Sequence, residues 1–164
     1  MNYCMDCGAK LILRDHHGEG EMPFCPSCGR FWHPVFNTAV INIVVDRTAE
    51  KILLIRQYGR EWNILVAGYV EKGESAEDAA AREIREETGL EVTRVRFNRS
   101  RYFEKSNSLM LNFTCDVKDA SVLHTNEEVD SCAWYSFEEA RAAIKPGSLA
   151  KEFLEAWLEE EGKG

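Results

Sequence analysis

Between Gly68 and Leu90 the chain passes from a glycine through a polar turn into a helix that ends in acids, and no other stretch restricts the fold as much. Ala76, Ala80 and Ile84 recur at fourfold spacing within Glu74–Thr88, and Gly89 supplies the stop. At 100° per residue, Glu83, Glu86 and Glu87 fall within an arc of about 100° on one helix face. Like charges at these spacings cost roughly 0.2–0.5 kcal/mol per pair. Glu86 and Glu87 also occupy the last turn, where the helix dipole disfavours anions by about 0.3–1 kcal/mol each. A helix shaped for stability alone would start with acids and end with bases. Two readings remain open on charge. One is a solvated acidic face relieved by Arg82 and Arg85, with Arg82 four residues before Glu86. The other is a divalent cation, which cancels the repulsion and prefers carboxylate oxygens. Magnesium held in this way bridges phosphate oxygens and activates water.

Around this helix the pattern alternates between strands and helices. Ala39–Val45 and Lys51–Gln57 are β-rich runs joined by a hairpin-like connection, and Asn63–Ala67 is a third short run. Val92–Asn98 reads as a strand, and residues 109–117 alternate with Leu109, Leu111, Phe113, Cys115 and Val117 on one face. Ser136 and Glu139 form a capping-box pattern, and an amphipathic helix is expected over Leu149–Glu160. Such an order predicts an α/β domain with a mixed sheet.

Residues 1–34 differ. They hold few apolar runs but carry Cys4-x2-Cys7 and Cys25-x2-Cys28, a spacing that reads as a structural four-cysteine zinc site with no open position for catalysis. A redox pair and a nucleic-acid-reading ribbon are the alternatives. Three basic against four acidic residues in this segment speak against the latter. Cys115 and Cys132 read as small buried apolar residues. The expected organisation is a zinc ribbon over 1–34 followed by a catalytic domain over 35–164. A net charge of −8 argues against tight binding to a nucleic-acid backbone, though not against a small phosphorylated ligand. The longest apolar stretches are too short to span a bilayer, and the first residues lack the pattern of a secretion signal, so a cytoplasmic location is expected.

The stretch from Gly68 resembles the signature of the Nudix hydrolases at every defined position: Gly68, Glu74, Arg82-Glu83, Ile84, Glu86-Glu87 and Gly89-Leu90. The resemblance implies an α/β/α sandwich and the hydrolysis of a diphosphate linked to a nucleoside. It further implies that Glu83, Glu86 and Glu87 bind Mg²⁺ or Mn²⁺, while Glu74 and Arg82 hold that constellation in place. The attacking water would be assisted by Glu86, Glu87 or a loop acid such as Glu104.

A four-cysteine ribbon ahead of such a domain is similar to the bacterial NADH pyrophosphatase group. So are the run Leu65–Glu74 and the segment Glu127–Tyr135, which makes Glu128 a candidate further metal ligand and Tyr69 a candidate base-stacking aromatic. Tyr69 as a half-buried strand aromatic is the other reading. That group carries a Ser-Gln-Pro-Trp-Pro-Phe-Pro motif where this chain has Ser100-Arg-Tyr-Phe-Glu-Lys-Ser106, without a proline or the Trp. A loop of different shape is expected there, with Tyr102 and Phe103 as stacking surfaces. A dinucleotide such as NADH, or ADP-ribose, is the expected substrate. A nucleoside triphosphate or sugar nucleotide is the enzymatic alternative, and a non-catalytic ligand-sensing or nucleic-acid-binding module the other. The resemblance also implies a homodimer.

Overall fold

The computed structural model describes residues 2–163; Met1 and Gly164, which the expected domain bounds include, lie outside the described residues. Contacts divide the chain into two compact units, Met1–Phe36 and Asn37–Gly164.

The first unit is a three-stranded antiparallel sheet of β1 (Ile12–Asp15), β2 (Glu21–Cys25) and β3 (Arg30–Phe31), in that order. Each Cys-x-x-Cys pair lies on a tight turn closed by a glycine: Gly8 donates to the Cys4 carbonyl at 2.9 Å and Gly29 to that of Cys25 at 2.8 Å. Gly8 and Gly29 take φ of 71° and 66°, which residues with a Cβ rarely adopt. Its buried cluster holds little more than Cys4, Cys25 and Trp32. A core that small does not offset the ordering entropy of the segment, so a cross-link is needed.

The second unit is built on β4 (Asn37–Asp46), β5 (Lys51–Gln57), β6 (Val66–Tyr69), β7 (Val92–Phe103), β8 (Ser108–Val117) and β9 (Val129–Ser136). The strands run in the order β7-β8-β4-β5-β9, with β6 paired to the first half of β4. β4 and β8 are parallel while the other pairs are antiparallel, so the sheet is mixed. Helices α1 (Ala76–Thr88), α2 (Phe137–Ala143) and α3 (Leu149–Glu160) complete it. Every residue from Ala39 to Val45 is buried, as expected of a strand covered on both faces. Ile41, Ile43 and Val45 pack with Phe153, Leu154 and Trp157 of α3. Val40 and Val44 point the other way, into Ala79, Ala80 and Ile84 of α1. The period-two alternation of β4 thus places a helix on each face, giving an α/β/α sandwich. No helix among the described residues is long and apolar enough to cross a membrane.

Three expectations shift. The third strand is Val66–Tyr69 rather than Asn63–Ala67, because Asn63 and Ile64 make only isolated bridges, to Ile144 and Ile55. Helix α1 starts at Ala76, with Ser75 as its cap, so Glu74 lies outside it in the preceding turn. The segment 100–106 is mostly strand: Ser100–Phe103 continue β7 in register with Leu111–Ser108 of β8, leaving Glu104–Ser106 as a single 3₁₀ turn. The missing prolines explain this, since each would have removed a backbone donor from the ladder. The capping box forms as expected, with Ser136 and Glu139 each bonded to the other's backbone N–H.

Candidate active site and four-cysteine centre

Three elements bring the carboxylates together. The turn after β6 presents Glu74, helix α1 presents Arg82, Glu83, Glu86 and Glu87, and the segment before β9 presents Glu128. Arg82 is the hub. Its guanidinium holds Glu74 through two bonds of 2.7 and 3.1 Å, donates to Glu83 at 2.8 Å and to Glu86 at 3.1 Å, and reaches the Tyr69 carbonyl at 3.0 Å. Glu74 is fixed from its other side by the Glu71 N–H at 2.6 Å. Glu74 therefore orients Arg82, and Arg82 restrains two of the helix acids.

Glu87 has a different environment. It is 3% exposed, and one oxygen accepts from the Gln57 amide at 2.7 Å. Its Oε2 is buried without a hydrogen-bond partner. Burial, reinforced by the charges of Glu83, Glu128 and Glu86, pushes its carboxyl up to about 7. Burial also raises Glu83, with Glu86 and Glu128 adding to the effect against the opposing pull of Arg82. Buried carboxylates are normally paired or bound to a metal, and an orphaned oxygen carries a desolvation cost. A hard oxygen donor set with an unpartnered buried lone pair fits a divalent cation.

Glu83 lies against the backbone of Gly68. A Cβ built on that glycine would sit 1.9 Å from the Glu83 carboxyl carbon, so the contact depends on the absence of a side chain at residue 68. Tyr69 ends β6 and is 56% exposed. Gly68 and Tyr69 line an apolar cleft of about 360 Å³ whose walls include Ile41, Ile64, Phe103 and Met110. Tyr69 and Phe103 thus share a cleft. Tyr102 does not line it; its hydroxyl donates to Asn107 at 2.7 Å. Glu104 opens the 3₁₀ turn and is not among the charges that raise Glu83 or Glu87.

Two residues near the carboxylates escaped the sequence reading. Gln57 anchors Glu87, and Tyr58 donates its hydroxyl to Glu128 at 3.0 Å. Tyr58 takes a φ of 57°, and the next N–H, of Gly59, is held by Asp130 at 2.7 Å. A polar Gln closing an apolar strand was the one available signal.

In the first unit the four thiols form a compact group. One ligand atom from each of Cys4, Cys7, Cys25 and Cys28 lies within 4.8 Å of the others. The Cys4–Cys28 and Cys7–Cys25 sulfur separations are 3.9 and 3.6 Å. Four sulfurs at tetrahedral Zn–S bonds of about 2.3 Å are about 3.8 Å apart, so the arrangement fits zinc. Thiol contacts with Cys7 and Cys25 push Cys28 up to about 12, a conflict that a cation removes. Cys115 is buried and Cys132 half-buried.

A mixed-sheet α/β/α sandwich carrying the Arg82-centred carboxylate turn and helix defines a recognisable class. Residues 36–157 match the NUDIX domain, and the chain belongs to that family. It is 27% identical over 158 residues to the NAD-capped RNA hydrolase NudC of Pseudomonas aeruginosa, covering 95% of this chain and 55% of that protein. Nudix hydrolase 19, chloroplastic, of Arabidopsis thaliana is 33% identical, over 91% of this chain and 35% of its own length. The chain therefore spans about half the length, or less, of these curated relatives. Among solved structures, a NUDIX hydrolase from Nitrosomonas europaea superposes with a TM-score of 0.72, covering 100% of this chain and 94% of that one at 23% identity. The E. coli ORF135 protein gives 0.60, covering 79% and 96% at 29% identity.

Proposed function

We propose that this chain is a divalent-metal-dependent hydrolase that cuts the diphosphate of a dinucleotide such as NADH, or of ADP-ribose. The observation that carries the reading is a buried Glu87 carboxylate that lies in the field of Glu83, Glu128 and Glu86 and has one oxygen with no protein partner. These four would hold Mg²⁺ or Mn²⁺, and Glu74 and Arg82 would keep the helix acids in position. Bound there, the ion would polarise phosphate oxygens and offset the charge of the leaving phosphate. Glu86 is 51% exposed at its side chain, so bulk water reaches it, and it is assigned the proton of the attacking water. The cleft beyond Gly68 would take a nucleoside, with Tyr69 and Phe103 offering ring faces. The NudC names support an NAD-type end on the substrate. In this reading residues 1–34 are a zinc ribbon and 35–164 the hydrolase.

A screen with Mg²⁺ and Mn²⁺ against NADH, NAD⁺, ADP-ribose, FAD and nucleoside triphosphates, with products separated by chromatography, tests the substrate class. AMP released fastest from NADH or ADP-ribose supports it, and faster cleavage of triphosphates rejects it. Metal analysis of purified protein is expected to find about one zinc per chain. Cys25→Ser should abolish that stoichiometry and expose Trp32, read as a red shift in tryptophan fluorescence, because Cys25 is fully buried against it. Protein lacking zinc with an unaltered spectrum would remove zinc from the account.

A further inference from the structure

The cleft lined by Gly68, Tyr69 and Phe103 has a neighbour. A second pocket of about 410 Å³ opens beside it, and Phe103, Lys145, Ser148 and Leu149 line both. Arg101, Lys105, Gly147 and Glu152 complete its walls. Three separate segments deliver the cations: Arg101 comes from the end of β7, Lys105 from the 3₁₀ turn, and Lys145 from the connection between α2 and α3. Arg101 pairs with Glu152 on the same rim. The ion pairs of the described residues include no carboxylate for Lys105 or Lys145. Two positive charges are therefore uncompensated in a chain whose net charge is −8. Helix α3, of 12 residues, also starts at this pocket, with Ser148 as its cap. The positive end of its dipole adds to the lysines rather than opposing them.

The carboxylate Glu83 and the basic pocket adjoin the cleft through different residues. Gly68 and Tyr69 stand beside Glu83, and neither lines the basic pocket. A diphosphate cut at the carboxylates would leave this basic pocket for a different anion. Lysine ammonium groups on flexible stems suit a phosphate of varied orientation. We propose that Lys105 and Lys145 form a second phosphate subsite, which takes a phosphate carried on the ribose of the nucleoside lodged in the cleft. This inference rests on the cleft being the nucleoside site of the proposed hydrolase. A phosphate at this position could come from a phosphorylated dinucleotide, through the ribose 2′ oxygen, or from a chain continuing through the 3′ oxygen.

Calorimetric titration of the full chain with AMP, adenosine 2′,5′-bisphosphate and adenosine 3′,5′-bisphosphate separates these cases without turnover, since none holds a diphosphate bond. One bisphosphate should bind on the order of tenfold more tightly than AMP, as expected for charge-assisted phosphate contacts. Preference for the 2′ isomer assigns the pocket to phosphorylated dinucleotides, and preference for the 3′ isomer to a continuing chain. The double variant Lys105→Ala/Lys145→Ala should bring the bisphosphate-to-AMP ratio close to one. Lys118→Ala, which removes an exposed lysine paired with Glu91 elsewhere, should keep the ratio. Equal affinity for all three ligands, or a ratio unchanged in the double variant, overturns the subsite. A ratio above one in a protein that hydrolyses no dinucleotide would leave the subsite standing and reject the hydrolase reading. Turnover without any ratio would do the reverse.

Discussion

Glu87→Gln is expected to lower kcat/KM by at least a thousandfold, about 4 kcal/mol of transition-state stabilisation, while the protein stays folded. The amide keeps the shape and can still accept from Gln57, so the Gln57 contact at 2.7 Å survives. What is lost is a charge at a buried oxygen aimed at no protein donor. A stability measurement on metal-free protein separates this effect from misfolding. The Glu87 carboxyl rises from 4.5 to about 7 on folding, so between those values the native state holds more protons than the unfolded one. Stability then falls as pH rises through that window, by about 3 kcal/mol for this group, and the loss is complete above it. Denaturant titrations from pH 5 to 8 should show this slope in the wild type and a smaller one in Glu87→Gln. Near-normal turnover would remove Glu87 from the mechanism, and an unchanged slope would contradict its buried state.

Gly68→Ala is expected to cost activity on the order of a hundredfold with little loss of stability, as for a displaced metal-site group. The added Cβ would meet the Glu83 carboxyl carbon at 1.9 Å. That carboxylate ends a flexible side chain, so the helix need not move, but the acid must leave its place beside Arg82. A Tm close to wild type with collapsed kcat is the predicted pair of results. Retained kcat would show that Glu83 works from more than one position. A large fall in Tm would show that the backbone, and not the side chain, gives way.

The carboxylate helix was legible because its function defies its own stability. Acids packed into a C-terminal turn need a reason, and their spacing alone puts Glu83, Glu86 and Glu87 on one face. The mixed α/β class was legible in the order of strands and helices, and the sandwich through the resemblance of Gly68–Leu90; the structure then shows β4 buried on both faces from Ala39. Less could be read where pairing decides. Ser100–Phe103 was expected as a loop because the resembling group has a proline-rich motif there, yet β8 supplies a ladder partner for each of them. The partners of the acids were equally hidden. Gln57 and Tyr58 lie 30 and 70 residues from Glu87 and Glu128, and only the sheet brings them together. Lys105 and Lys145, 40 residues apart in the sequence, share a wall that no spacing rule connects.

In the proposed function a divalent cation on this carboxylate set drives diphosphate cleavage. Its most direct test is AMP release from NADH by protein stripped with EDTA, given back one equivalent of zinc, and titrated with Mg²⁺. No AMP is expected before Mg²⁺ is added, and a saturable rise is expected with it, absent in Glu87→Gln. AMP release at full rate from the stripped protein, or none at any Mg²⁺ concentration, would contradict it.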